Sequence, residues 1–177
     1  MSISLAAWIH VCPLSKVPET VRTTGARSLV TLIDSGTPVK RPPEIPAASH
    51  LIVNLSDITV QTEGHLLADE THIEKLLAFV RRWDQAAPLL MHCWAGVSRS
   101  TAAAFIAACA LRPDRDEASI AQEVRAKSPT ATPNPRLVAL ADAMLRRNGR
   151  MVAAIEKIGR GADCSEGAPF SLELRWS

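Results

Sequence analysis

The sequence contains no tyrosine, and its aromatic residues amount to only 4%. So few rings exclude the stacked aromatic platforms that hold single-stranded nucleic acid. An excess of one charge is missing as well. Lys and Arg number 20 against 18 Asp and Glu, a formal charge of +2, which excludes binding to a nucleic-acid backbone by bulk attraction. No apolar run approaches the roughly 18 residues that a bilayer span requires. The first dozen residues hold His10 but no Lys or Arg, unlike the basic start of a secretory signal. Cys12, Cys93, Cys109 and Cys164 lie far apart with no C-x-x-C pair. They read as reduced thiols of a cytoplasmic protein, not as a disulfide framework. His65 and His72 have no Cys at ligand spacing, so no metal is expected.

What remains is ordinary globular composition: 177 residues, 47% apolar and 21% charged. A chain of this length forms about one domain and buries roughly 70% of its unfolded surface without a staple. Apolar patterning predicts strands over Ile3–Val11, Ser28–Ile33, His50–Leu55 and Leu89–His92. Helices are predicted over 15–25, with Ser15 as cap and Gly25 as stop, and over 69–87, stopped by Pro88. Further helices are expected over 101–111, 114–127, 135–147 and 150–158. The last residues alternate, with Phe170, Leu172, Leu174 and Trp176 on one side, a strand pattern with one face to bury. This alternation of strands and helices predicts an α/β domain. Its mostly parallel central sheet of four to five strands carries helices on both faces. The expected division is a main domain over 1–149, with a helix and strand-like extension over 150–177 packed on it.

One segment stands out: His92-Cys93-Trp94-Ala95-Gly96-Val97-Ser98-Arg99-Ser100. It joins a buried strand to an apolar helix, the place where α/β sheets hold ligands. Five residues between Cys93 and Arg99 suffice to wrap back and aim successive backbone N–H groups at a phosphate-like dianion. Gly96 allows the turn where a Cβ would crowd it. Arg99 supplies a planar fork for two phosphate oxygens. A thiol in such a positive field loses its proton more readily and becomes a nucleophile. A bare C-x5-R arises by chance in roughly one chain in ten. Adding the His, the Gly and the final Ser brings that below about one in a thousand.

The segment resembles the H-C-x5-R-[S/T] signature of the cysteine-dependent protein-tyrosine and dual-specificity phosphatases, in their small bacterial form. The resemblance implies a protein-tyrosine-phosphatase-like fold and a phosphate-binding loop (P-loop) over residues 93–99. Cys93 would be the nucleophile that forms a phosphocysteine. Arg99 and the amides of Trp94, Ala95, Gly96, Val97 and Ser98 would hold the phosphate, and Ser100 would assist departure of the sulfur. It implies no metal or other cofactor.

The family also needs a general acid on a loop a few tens of residues before the Cys. Asp57, after a predicted strand and before a Gly-containing loop, occupies that place. Asp34, ending the second strand, is the competitor, and a turn-capping role for Asp57 is the plainer alternative. His92 reads as a buried strand-end histidine that fixes the loop. Asn134, in TPNP, is either a helix cap or a group whose amide steadies the loop. Cys12 ends the first strand, where it is either a buried thiol or a redox partner for Cys93. The loop has no Lys, which favours phosphotyrosine over polyphosphorylated lipid headgroups, although Lys40 and Arg41 are available at a rim. The expected partners are a phosphorylated protein or another phosphomonoester, with phosphate, sulfate or vanadate able to occupy the loop. Neither nucleic acid nor a membrane is expected. The rival readings are a binding module that captures phosphorylated partners without turnover, and a rhodanese-like sulfurtransferase.

Overall fold

A computed structural model describes residues 7–175. The chain runs β1 (Trp8–Pro13), α1 (Val17–Thr24), β2 (Ser28–Ile33), β3 (His50–Asn54), α2 (Glu70–Arg82), β4 (Leu89–Cys93), α3 (Arg99–Leu111), α4 (Glu117–Lys127), α5 (Pro135–Met144), α6 (Arg150–Ile158) and β5 (Phe170–Glu173). The strands form one sheet in the order β3-β2-β4-β1-β5. Pairings among the first four strands are parallel, and β5 joins β1 antiparallel. This is the expected α/β architecture with five strands.

The central strands are apolar throughout because both faces are covered. Every residue of β4 is buried, as is every residue of β2 after Ser28, the pattern of a parallel sheet between helical layers. On one face α1 packs Val17 and Val21 over Cys12, Leu29 and Leu90. On the other lies α3, buried on all sides from Arg99 to Cys109. Its alanines present little bulk, so the sheet and the neighbouring helices α2, α4 and α5 all reach it. No helix among the described residues is long and apolar enough to cross a membrane.

Local chemistry moved several boundaries. The helix expected over 69–87 ends at Arg82, because Trp83 turns its indole N–H onto the Ala87 carbonyl at 2.9 Å. Gln85 then takes a positive φ of 59°, and a bend over 85–87 leads to Pro88. Its start is capped by Asp69, whose carboxylate accepts from Thr71 and His72. Ser15 does not cap α1; its hydroxyl donates to Glu166 at 2.9 Å, far along the chain. The first strand begins at Trp8 within the described residues, and Ile3–Ala6 and Trp176 lie outside them. β5 extends only to Glu173, although Leu174 is also buried.

The later helices are tied by buried charge. Arg147 donates to Glu117 at 2.8 Å and to the Cys109 carbonyl at 2.7 Å, and Arg150 reaches Glu117 at 3.2 Å. Gly149 offers no side chain to cap α6, so Asp142 of α5 accepts the N–H groups of Gly149, Met151 and Val152. Burial pushes the Glu117 carboxyl up. Its bonds from Arg147, its own backbone and Arg150 outweigh that and hold it below the ordinary value of 4.5. The stabilisation is therefore complete above about pH 4.5 and fades as pH falls through the lowered value. Glu117→Ala strands the Arg147 charge and should cost about 3 kcal/mol in urea unfolding at pH 7. A loss below about 1 kcal/mol would mean that the pair is solvated.

Candidate active site

The site forms where β4 stops. Cys93 is its last residue and is 2% exposed, and α3 begins at Arg99. The loop between them crosses the end of β1. Gly96 sits at φ +69°, and a Cβ there would lie 2.7 Å from the Pro13 nitrogen and 2.9 Å from the Cys12 carbonyl carbon. Both the backbone angle and the close approach demand glycine.

Four backbone donors from three other segments hold the loop by its carbonyls. Leu14 N–H donates to Trp94 O at 3.1 Å, Gly167 N–H to Ala95 O at 2.8 Å, Thr132 N–H to Val97 O at 2.9 Å and Asn134 N–H to Ser98 O at 3.1 Å. In a trans peptide the N–H of the next residue points opposite to the carbonyl, and the described residues contain no cis bond. The N–H groups of Ala95, Gly96, Ser98 and Arg99 are therefore turned away from the supports, towards the inside of the loop. Among the described residues the N–H groups of Trp94–Ser98 have no protein acceptor. Converging N–H donors at the start of a helix bind an anion.

Arg99 completes that pattern. It is 5% exposed. Its Nη1 donates to the Leu55 carbonyl at 2.8 Å and to Asp34 Oδ1 at 3.2 Å. Its Nε is buried with no partner among the described residues. A buried donor left unmade is costly, and an oxyanion in the loop would satisfy it. Ser100 is fully buried with Oγ 3.1 Å from Cys93 Sγ, within reach of a developing thiolate.

Asp57 stands on the rim. Its Oδ1 accepts from the Ser98 hydroxyl at 2.7 Å and from Asn134 Nδ2 at 2.8 Å. The ends of its loop are pinned where Ser56 N–H donates to Leu66 O and Leu66 N–H to Ser56 Oγ. Asn134 is the expected helix cap, but its side-chain amide meets Asp57 and not the loop. Its Oδ1 caps α5 by accepting from Arg136 and Leu137, its backbone N–H steadies the loop, and its amide nitrogen holds Asp57. The competitor Asp34 is engaged with Arg99 instead.

His92 is fully buried, with Nδ1 3.2 Å from Cys93 O and Nε2 2.7 Å from Thr31 Oγ1. A carbonyl only accepts, so Nδ1 carries the proton and Nε2 accepts from the Thr31 hydroxyl. Thr31 in turn accepts from His50 Nε2 at 2.8 Å. Burial pushes the His92 imidazole down to about 4, so it is neutral at pH 7. Cys12 lies beside His92 across the parallel β1–β4 pairing, in the α1-side cluster, whereas Cys93 belongs to the main core. Burial pushes the Cys12 thiol up to about 12. Cys109 is buried in the core and Cys164 is exposed. No group of three or more His, Cys, Asp or Glu placed to hold a metal occurs among the described residues.

Sequence reasoning missed Thr31, His50, Leu14, Thr132 and Gly167. Only Thr31 left a signal, as the one polar residue inside the run Leu29–Ile33.

A scan of protein-family models and a search of curated proteins each return no match. Solved structures do match. The Cydia pomonella PTP-2 phosphatase shares 25% identity with a TM-score of 0.60, over 76% of this chain and 84% of its own. In fold the chain is similar to protein-tyrosine and dual-specificity phosphatases, in keeping with its H-C-x5-R-S segment. Human DUSP28 superimposes on this phosphatase fold with a TM-score of 0.59 at 20% identity, over 78% of this chain and 94% of its own. PTPMT1, solved with PI(5)P, gives 0.54 at 14% identity, over 79% and 86%.

A titration tests the loop's support. His92 should titrate near pH 4 by NMR, and stability should fall as pH drops from about 6.5 towards 4, because the unfolded state takes up the proton first. A midpoint at 6.5 would contradict a buried, neutral His92.

Proposed function

We propose that the protein is a metal-independent phosphomonoester hydrolase working through a phosphocysteine, and that its substrates are phosphotyrosine proteins. The observation that supports the reading is the loop from Cys93 to Arg99, whose N–H groups from Trp94 to Ser98 and whose buried Arg99 Nε have no protein acceptor among the described residues.

In the first step Cys93 attacks phosphorus as the thiolate. The S–P bond forms, the P–O bond to the leaving group breaks, and Asp57 delivers its proton to the departing oxygen. The loop amides and Arg99 neutralise the equatorial oxygens, which gain charge in the transition state. In the second step water attacks phosphorus, the Asp57 carboxylate takes the water proton, and the sulfur leaves as thiolate. Ser100, 3.1 Å from that sulfur, donates to it and makes it a better leaving group. Ser98 and Asn134 hold the Asp57 carboxylate beside the loop through both steps.

The substrate class rests on the rim. Trp94, adjacent to the nucleophile, is 59% exposed and offers an aromatic face to a phosphorylated ring. The loop interior has no Lys for the further phosphates of a headgroup such as the PI(5)P held by PTPMT1.

Hydrolysis of para-nitrophenyl phosphate with EDTA present tests the reaction. Wild type should turn over, and Cys93→Ser should not while still binding vanadate. Asp57→Ala should slow alkyl-like, poor leaving groups about 100-fold or more, and para-nitrophenyl phosphate far less, since general acid catalysis contributes about 10²–10⁴ where the leaving group needs the proton. Equal slowing of both would remove Asp57 from the acid's role. A wild type that binds phosphopeptides without turnover would be a binding module.

A further inference from the structure

The segment after α6 leaves the last helix at Gly159 and returns past the active site before it joins the sheet as β5. Nearly all of it is exposed. Between 162 and 169 only Gly167 is buried, and it is buried against the Cys93–Arg99 loop. Its N–H donates to Ala95 O at 2.8 Å. A Cβ at this position would lie 2.8 Å from Gly96 O and 3.4 Å from Thr130 Oγ1. The backbones therefore touch where a side chain would part them.

The part of the segment before that contact is fastened at three further points. Gly161 N–H donates to Thr132 Oγ1 at 3.1 Å and Ala162 N–H to the Pro129 carbonyl at 2.9 Å. A Cβ on Gly161 would stand 2.5 Å from the Thr130 carbonyl. Glu166 accepts from Ser15 at 2.9 Å, next to Leu14, which holds the adjoining Trp94 carbonyl. Residues 160–164 then wall a pocket of about 250 Å3 together with Asp57, Val97, Ser98 and Thr132.

We propose that this strap is a working part of the active site and that Gly167 is a positioning residue, holding the Ala95–Gly96 peptide so that its N–H faces the oxyanion. The inference rests on the reading of the loop as an oxyanion site. Without the Gly167 donor the Ala95 carbonyl is free to rotate, and the opposite face of the same peptide rotates with it. The effect is on anion affinity first, because the strap touches no reacting atom.

Linkage makes the coupling measurable in the unaltered protein. If the strap favours the anion-binding loop, vanadate must favour the strap contact by the same factor. Hydrogen exchange at the Gly167 amide should therefore slow several-fold at saturating vanadate, and an unchanged rate would overturn the proposal. Gly167→Ala, assayed below its melting temperature, should bind vanadate about three- to tenfold more weakly, the worth of one backbone hydrogen bond. Ser165→Ala, exposed on the same strap, should bind as wild type does. Equal affinity in wild type and a folded Gly167→Ala overturns the strap's role alone. A wild type that binds no vanadate contradicts the oxyanion site itself.

Discussion

The site depends on the direction of a few peptide planes. Carbonyls of Trp94, Ala95, Val97 and Ser98 all turn outwards because each meets a backbone N–H from another segment: Leu14, Gly167, Thr132 and Asn134. The inward N–H groups are the other side of the same four peptides. Without outside donors those carbonyls would seek partners within the loop, and the concavity would collapse onto its own backbone. The fold brings the four donors there by its topology. The ends of β1 and β4 are neighbours in the sheet, the turn before α5 packs on the start of α3, and the strap must cross the loop to reach β1.

Leaving donors unpaired in a partly buried loop costs stability. Among the described residues the N–H groups of Trp94–Ser98 and Arg99 Nε have no protein acceptor, and such donors are expensive to desolvate. The surroundings offset this with rigid apolar packing and with polar groups that are themselves satisfied. His92 illustrates the second device: its neutral ring bridges Cys93 O to the Thr31 hydroxyl, and Thr31 passes the chain on to His50. A charged His92 would be held poorly in that position, and its lowered pKa follows from the same burial that fixes the Cys93 backbone.

Much of this was legible in the sequence, and the part that was not has one cause. The span from His92 to Ser100 was legible because the residues of the proposed reaction are adjacent in it, so spacing alone carries the signal. The buried strands are legible from their unbroken apolar runs, and α6 over Arg150–Ile158 emerges as patterned. The strap is illegible because a Gly167 amide meeting Ala95 leaves no periodicity in either segment. Ser15 shows the same limit. As a serine before a helix it reads as a cap, yet its partner is Glu166. Asn134 was legible as the cap of α5, but its hold on Asp57, 77 residues away in sequence, was not.

The central claim is that the outward carbonyls present an oxyanion with inward amides, and a titration with inorganic phosphate followed by 1H–15N NMR tests it directly. The account predicts that the backbone signals of Ala95, Gly96, Ser98 and Arg99 and the Arg99 Nε–H signal shift together, with one saturation curve. Saturable shifts confined to another surface, with these five signals unmoved, would contradict it.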